Sequence, residues 1–268
     1  MLKKIKNKIK YLRRCASNPA YQFSHRFFSI SKDYDILKSL HNKHSGKRCF
    51  IIGNGPSLNL IDLTKLKNEY TFGVNAIYTN YEKMGFYPTY YAVEDIFVAE
   101  DRAHEINDFK QSLKFFPNYL KHCIKRDAKT VFINFVRDFD ENQSPGFSTD
   151  SSLKVYFGGT VSYVCMQLAY YMGFSEVYLV GFDHNYKVLD SVKKSGADFL
   201  STEEDVNHFS PDYFGKGKRW HDPQVERMET SYLKAIKFFD ADKRKIRNAT
   251  AGGKLEVFER IDFEKVFM

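Results

Sequence analysis

Polar residues able to bind or react with a ligand gather where short apolar runs stop. Cys49-Phe50-Ile51-Ile52 leads into Gly53-Asn54-Gly55-Pro56-Ser57; Asn75 follows the second run, Glu94-Asp95 the third, Gly181-Phe182-Asp183 a later one, and Asn248-Ala249-Thr250 the last. If the runs are strands of an open parallel sheet, these residues stand at the carboxyl ends, where such sheets bind ligands. Five polar clusters in that one position exceed what turn chemistry alone demands.

The glycines at 53 and 55 allow backbone amides to approach a ligand closely, with Pro56 and Ser57 opening the next helix. The competing reading is a tight strand-to-helix connection and nothing more. Neither the GxGxxG dinucleotide fingerprint nor the GxxxxGK[ST] phosphate loop is present. Phe157-Gly158-Gly159-Thr160 supplies a second glycine-bearing turn, in which Thr160 caps a helix whose free amides and dipole attract an anion. Thr160 as a plain cap is the alternative. Two such turns on one crevice suit a nucleotide with one or two phosphates.

Glu94, Asp95 and Asp183 have the chemistry to hold ribose hydroxyls or a metal. No DxD stands at the strand ends that carry these three carboxylates, so a metal-independent reaction with no cofactor is expected. His184, His208 and His221 fall in a polar stretch where a neutral imidazole can take a proton from an attacking hydroxyl; each also reads as a surface or packing histidine.

The elements that must position these groups follow from periodicity. Expected strands are 48–52, 70–74, 89–93, 130–135, 176–180 and 245–247, alternating with helix-like segments in the manner of βα units. Val161, Val164, Cys165, Leu168, Ala169 and Met172 share a helical face over 160–172, ended by Gly173. A second helix over 225–239 turns Met228, Tyr232, Ala235, Ile236 and Phe239 inward. The stretch from Asp183 to Trp220 is polar, irregular and longer than a connection needs, so a lid over the site is expected.

With 268 residues, 43% hydrophobic and 16% aromatic, the chain can bury a substantial core. Cys15, Cys49, Cys123 and Cys165 form no CxxC pair, which argues against a zinc site or a disulfide framework and fits a reducing cytoplasm. No apolar run is long enough to span a membrane and no signal-peptide core is present. The net charge of +8 is concentrated in residues 1–14, where Lys3, Lys4, Lys6, Lys8, Lys10, Arg13 and Arg14 flank an apolar stripe of Leu2, Ile5, Ile9 and Leu12. As a helix, this segment either lies on an anionic membrane surface or docks on the domain. No nucleic-acid motif accompanies the charge, and no nucleic-acid partner is expected.

Ile51-Ile52-Gly53-Asn54-Gly55-Pro56-Ser57-Leu58, Asn75, and Tyr163-Val164-Cys165 leading through Gly173-Phe174-Ser175-Glu176-Val177-Tyr178-Leu179-Val180-Gly181-Phe182-Asp183 resemble two related groups. One is the bacterial sialyltransferases of glycosyltransferase family 42. The other is the domain of unknown function 115, which includes motility-associated glycosylation factors and MptE-type pterin diphosphokinases. The likeness runs from about residue 48 to residue 260.

It implies a Rossmann-like, GT-A-related α/β fold with a mostly parallel sheet flanked by helices. The implied reaction moves a nonulosonic or 2-keto-3-deoxy sugar acid (sialic acid, Kdo or related) from a CMP-activated donor to a cell-surface glycan or lipid-linked oligosaccharide, as in lipopolysaccharide or capsule biosynthesis. The alternatives are an ATP-dependent pterin diphosphokinase and a non-catalytic nucleotide-sugar-binding partner.

By position, Asn54 and Gly55 would contact the nucleotide, Asn75 the phosphate or ribose, and Thr160 the phosphate or sugar carboxylate. Family 42 places paired tyrosines after the Gly-x-Asp turn and a histidine base further on. Here the turn reads Asp183-His184-Asn185-Tyr186, which leaves Tyr186 for the departing phosphate and His208, with His221 competing, for the base. The expected nucleotide-sugar site is thus Gly53, Asn54, Gly55, Pro56, Ser57, Asn75, Glu94, Asp95, Gly159, Thr160, Gly181 and Asp183. The chain divides into a basic extension, 1–45, and a catalytic domain, 46–268, expected at the cytoplasmic face of the membrane.

Overall fold

A computed structural model describes residues 32–137, 144–186, 193–195, 198–202, 204–210, 213 and 216–268. The expected basic helix of residues 1–14 lies outside them, as does Cys15. Eight strands form the central sheet: β1 (Arg48–Ile52), β2 (Tyr70–Val74), β3 (Tyr90–Ala92), β4 (Leu113–Pro117), β5 (Thr130–Ile133), β8 (Glu176–Val180), β12 (Lys245–Asn248) and β13 (Glu259–Arg260). Their order is β13-β12-β8-β1-β2-β3-β4-β5, and every pairing is parallel. The chain winds outward from β1 to β5, then crosses to the far side of β1 and winds outward again from β8. The reversal falls between β1 and β8, which is where a doubly wound sheet opens a crevice.

Strands buried on both faces read as continuous apolar runs. In β1, Cys49 and Ile51 join one hydrophobic cluster while Phe50 and Ile52 join a second. The first cluster is completed by the helices Val161–Tyr171 and Val225–Ala241, and by Leu37 of the helix Lys32–Ser39. The helices Ile96–Asp101 and Ala103–Asp108 complete the second. This α/β arrangement is the expected one.

Two details of the sheet depart from the sequence reading. β4 was not expected, because Leu113-Lys114-Phe115-Phe116-Pro117 carries a lysine inside and a proline at its end. Lys114 is 1% exposed and bound to Asp127 at 2.6 Å, so the charge is buried in partnership rather than turned to solvent. The expected strand 130–135 is divided at Asn134. Beyond it β6 (Phe135–Val136) leaves the main sheet to pair with β7 (Val155–Tyr156).

The helix Val161–Tyr171 was expected to be one-sided, yet all eleven of its residues are buried. Gln167 on its polar side is satisfied there: its Oε1 accepts from Ser148 N and Tyr156 N, and its Nε2 donates to Tyr156 O and Tyr163 O. Gly173 then takes φ +86, which ends the helix. In the helix Val225–Ala241, Met228, Tyr232, Ala235 and Phe239 are buried, as expected.

The stretch read as an irregular lid contains an antiparallel sheet of β9 (Lys193–Ser195), β10 (Asp198–Leu200) and β11 (Arg219–His221). These three-residue strands are too short and polar to show a period. Arg219 fastens β11 to the helix Ile96–Asp101: its amide meets Asp101 at 2.9 Å, and its guanidinium binds Asp101 and Glu100.

Candidate functional site

At the reversal point, Ile52 of β1 lies beside Val180 of β8, and the turns that follow are locked together. Gly53 N donates to Val180 O at 2.8 Å and Gly55 N to Gly181 O at 2.9 Å. A Cβ at position 53 would stand 2.4 Å from Gly181 O, and one at position 55 only 1.8 Å from Asp183 Oδ2. The glycines are therefore required by the meeting of two turns. Asp183 completes the lock, since its Oδ1 accepts from Ser57 N at 3.1 Å and its Oδ2 from Ser57 Oγ at 2.6 Å. Pro56 is exposed and opens a short 3-10 helix, Pro56–Leu60. Pro56 and Ser57 do not line the crevice, so their place in the expected site is structural.

The crevice has an inner lobe of about 110 Å³ over the β1–β8 gap and an outer lobe of about 180 Å³ toward the lid. Gly53, Asn54, Gly55, Gly181 and Asp183 line the inner lobe, and Glu94, Asp95 and Gly159 the outer. Asn75, Thr160, Val161, Tyr186, Asn207 and His208 line both. The fold brings these expected positions to one crevice, and their division into two chambers is visible only in three dimensions.

Local backbone sets the inner lobe. Asn54 donates through Nδ2 to Val74 O at 3.1 Å, and its buried Oδ1 has no hydrogen-bond partner among the described residues. A buried acceptor left in this state is ready for a ligand donor. Asn75 adopts φ 51, in the left-handed region that costs a non-glycine residue energy. The Tyr91 hydroxyl donates to the Asn75 carbonyl and fixes that turn. Gly159 takes φ +82, and Thr160 follows in an extended conformation, accepting from Ser162 N at 3.3 Å. The N-terminus of a fully buried helix therefore opens on the crevice, with the polarity that draws an anion.

Tyr213 and Tyr232 also line the inner lobe and were not foreseen there. Tyr232 had been assigned to the core by its helical spacing. Its hydroxyl is pushed up to about 12 by burial, against hydrogen bonds from Thr160 and Ser162 that favour ionisation. Tyr213 sits in a polar stretch with no period, and its ring stacks on His208 at 3.9 Å between centroids.

The three histidines have different surroundings. Phe209 N donates to Asn54 O at 2.8 Å and Asn59 Nδ2 to Phe209 O at 3.0 Å, pinning the His208 segment to the β1 turn. His208 Nδ1 meets Asp205 Oδ2 at 2.7 Å, which assigns the proton to Nδ1 and makes Nε2 the basic nitrogen. His221 Nδ1 meets Asp95 Oδ2 at 2.8 Å, and its ring stacks on Phe97 at 4.2 Å. Burial disfavours its imidazolium, but Asp95, Asp198 and Glu94 outweigh this and raise the pKa. His184, at φ 52, meets Glu229 Oε1 at 3.2 Å.

Asp95 is doubly engaged, because its Oδ1 also caps the helix Ile96–Asp101 through Phe97 N and Val98 N. Beside it, Glu94 is 6% exposed and its carboxyl is pushed up to about 7, by burial above all. The Tyr186 hydroxyl stands 3.9 Å from Met228 Sδ, at the boundary of the lobes. Among the described residues no group of three or more His, Cys, Asp or Glu is arranged to hold a metal ion.

The family model described as "6-hydroxymethylpterin diphosphokinase MptE-like" matches residues 21–188. A solved structure, "Structure of MAf glycosyltransferase from Magnetospirillum magneticum AMB-1", aligns with 90% of this chain at 13% identity and a TM-score of 0.49. This chain spans 38% of that protein's length. No curated protein matches.

Proposed function

The chain belongs to the 6-hydroxymethylpterin diphosphokinase MptE-like family, and we propose that within it this protein is a transferase that moves a sugar from a nucleotide-activated donor to a hydroxyl acceptor. The observation that carries the reading is the position of His208. It lines both lobes, is oriented by Asp205, and stands where a donor bound over the β1–β8 gap would meet an acceptor in the outer lobe.

In this reading the nucleotide lies in the inner lobe, with a base or ribose donor on Asn54 Oδ1 and its phosphate at the helix N-terminus behind Gly159 and Thr160. His208 Nε2 removes the acceptor's proton as the new glycosidic bond forms and the phosphate departs with the electron pair of the broken bond. The helix N-terminus and the Tyr186 hydroxyl stabilise the charge on the leaving phosphate. His221, whose pKa is raised, is protonated more of the time than an ordinary histidine and is less available to accept a proton. The finer proposal is a CMP-activated sugar acid as donor.

The family description favours a second reading, an ATP-dependent diphosphokinase, whose magnesium ion needs carboxylate ligands. Asp183 spends both oxygens on Ser57, and Asp95 spends its own on a helix cap and on His221. Asp95 and Asp183 are thus poor magnesium ligands, while Glu94, Glu204 and Asp222 line the outer lobe, so metal dependence is the property that separates the two readings. Calorimetry with CMP, UDP, GDP and ATP, with and without EDTA, tests the choice. Binding of CMP that is indifferent to EDTA is expected, and selective, EDTA-sensitive binding of ATP would overturn it in favour of the diphosphokinase.

A further inference from the structure

We infer that the outer lobe is a binding site for a neutral, hydroxyl-rich saccharide that excludes phosphorylated or carboxylated acceptors, with Glu94 as its specificity-determining residue. This rests on the reading of the inner lobe as the nucleotide half. The two chambers differ sharply in charge. Among the described residues the inner lobe is lined by one carboxylate, Asp183, whose oxygens both accept from Ser57. Glu94, Asp95, Glu204, Asp205 and Asp222 line the outer lobe, and among the described residues no lysine or arginine does. Asp95 and Asp205 are each matched by a histidine and Glu94 is drawn on by Arg137 and His221, yet the carboxylates around the lobe still outnumber these cations.

Glu94 is set apart from the others by burial. It is 6% exposed, lines the cavity, and has no hydrogen bond or ion pair to its carboxyl among the described residues. A carboxyl withdrawn from water with no protein donor is costly unless a ligand supplies one. Sugar hydroxyls supply such donors, often in adjacent pairs that one carboxylate can accept together. Trp220, Val98 and Met228 give the same chamber an apolar wall for the CH face of a pyranose. An anionic acceptor would meet several carboxylates at short range in a half-enclosed space, where screening is weak.

The test is saturation-transfer NMR with methyl glycosides of galactose, glucose and N-acetylglucosamine, and with galactose 6-phosphate, on wild type, Glu94→Gln and Glu94→Ala. CMP calorimetry on each protein reports the fold and the inner lobe independently. A neutral glycoside is expected to bind and galactose 6-phosphate to be rejected. Glu94→Ala should weaken the glycoside about ten- to a hundredfold with CMP affinity unchanged, and Glu94→Gln, which keeps an acceptor and a donor, should stay within about threefold. Binding of galactose 6-phosphate as tight as the neutral sugars, indifference to Glu94→Ala, or no binding by any neutral glycoside would overturn the inference. Failure of wild type to bind CMP would overturn the nucleotide reading alone, and the glycoside results would still decide this one.

Discussion

Glu94 and His208 show how two titratable groups lining one chamber acquire different surroundings. His208 is held by Asp205 and by the Tyr213 ring, so its orientation is fixed before any ligand arrives. Glu94 is governed above all by burial, with Arg137 and His221 attracting its charge and Asp95 opposing it. The folded chain binds the Glu94 proton more tightly than the unfolded chain, because the carboxyl is raised from its usual 4.5 to about 7. Stability should therefore fall as pH rises from 4.5 through 7, with the full deficit, on the order of 3 kcal/mol, present above 7. Glu94→Gln removes the ionisation and should raise Tm over wild type at pH 8.5 while leaving it unchanged at pH 4. An equal gain at both pH values would mean that packing, rather than charge, is responsible.

At the scale of elements, the turns after β1 and β8 form one unit. Glycine at 55 admits Asp183, Asp183 holds Ser57, and Ser57 fixes the path of the 3-10 helix Pro56–Leu60. Gly55→Ala would drive a Cβ into the Asp183 carboxylate, an overpacking that typically costs about 1–3 kcal/mol. A Tm lower by several degrees, with weaker CMP binding, is the expected result of scanning calorimetry and titration on this variant; an unchanged Tm would show that the turns can part without cost. The same unit explains what could be read in advance. Gly53, Gly55, Gly181 and Asp183 announced a site because each ends an apolar run, but a linear pattern does not say that two turns 126 residues apart touch. Their glycines, expected at a ligand, also serve each other while lining the inner lobe.

Across the whole molecule, the strand order decides where the site lies, and strand order depends on long-range pairing. Apolar runs located β1, β2, β3, β5, β8 and β12, since buried parallel strands advertise themselves. β4 escaped because its lysine is neutralised by Asp127 in the folded state only. The lid sheet escaped because its strands are three residues long. Tyr213 and Tyr232 were missed for a related reason: one lies in a segment without a period, and the other faces the crevice from a position that helical spacing assigns to the core.

The fold brings these pieces to one junction, with His208 between a chamber suited to anions and a chamber suited to hydroxyls. The most direct measurement of that division is a paired one on His208→Ala: calorimetric affinity for CMP, and kcat for transfer or hydrolysis of a CMP-sugar. Removing a general base typically costs about 10² to 10⁴ in rate. The expected result is a kcat lower by that factor with CMP affinity within about twofold of wild type, and a much smaller loss in His221→Ala. Loss of CMP binding together with activity in His208→Ala, or a larger kcat loss in His221→Ala, would contradict it.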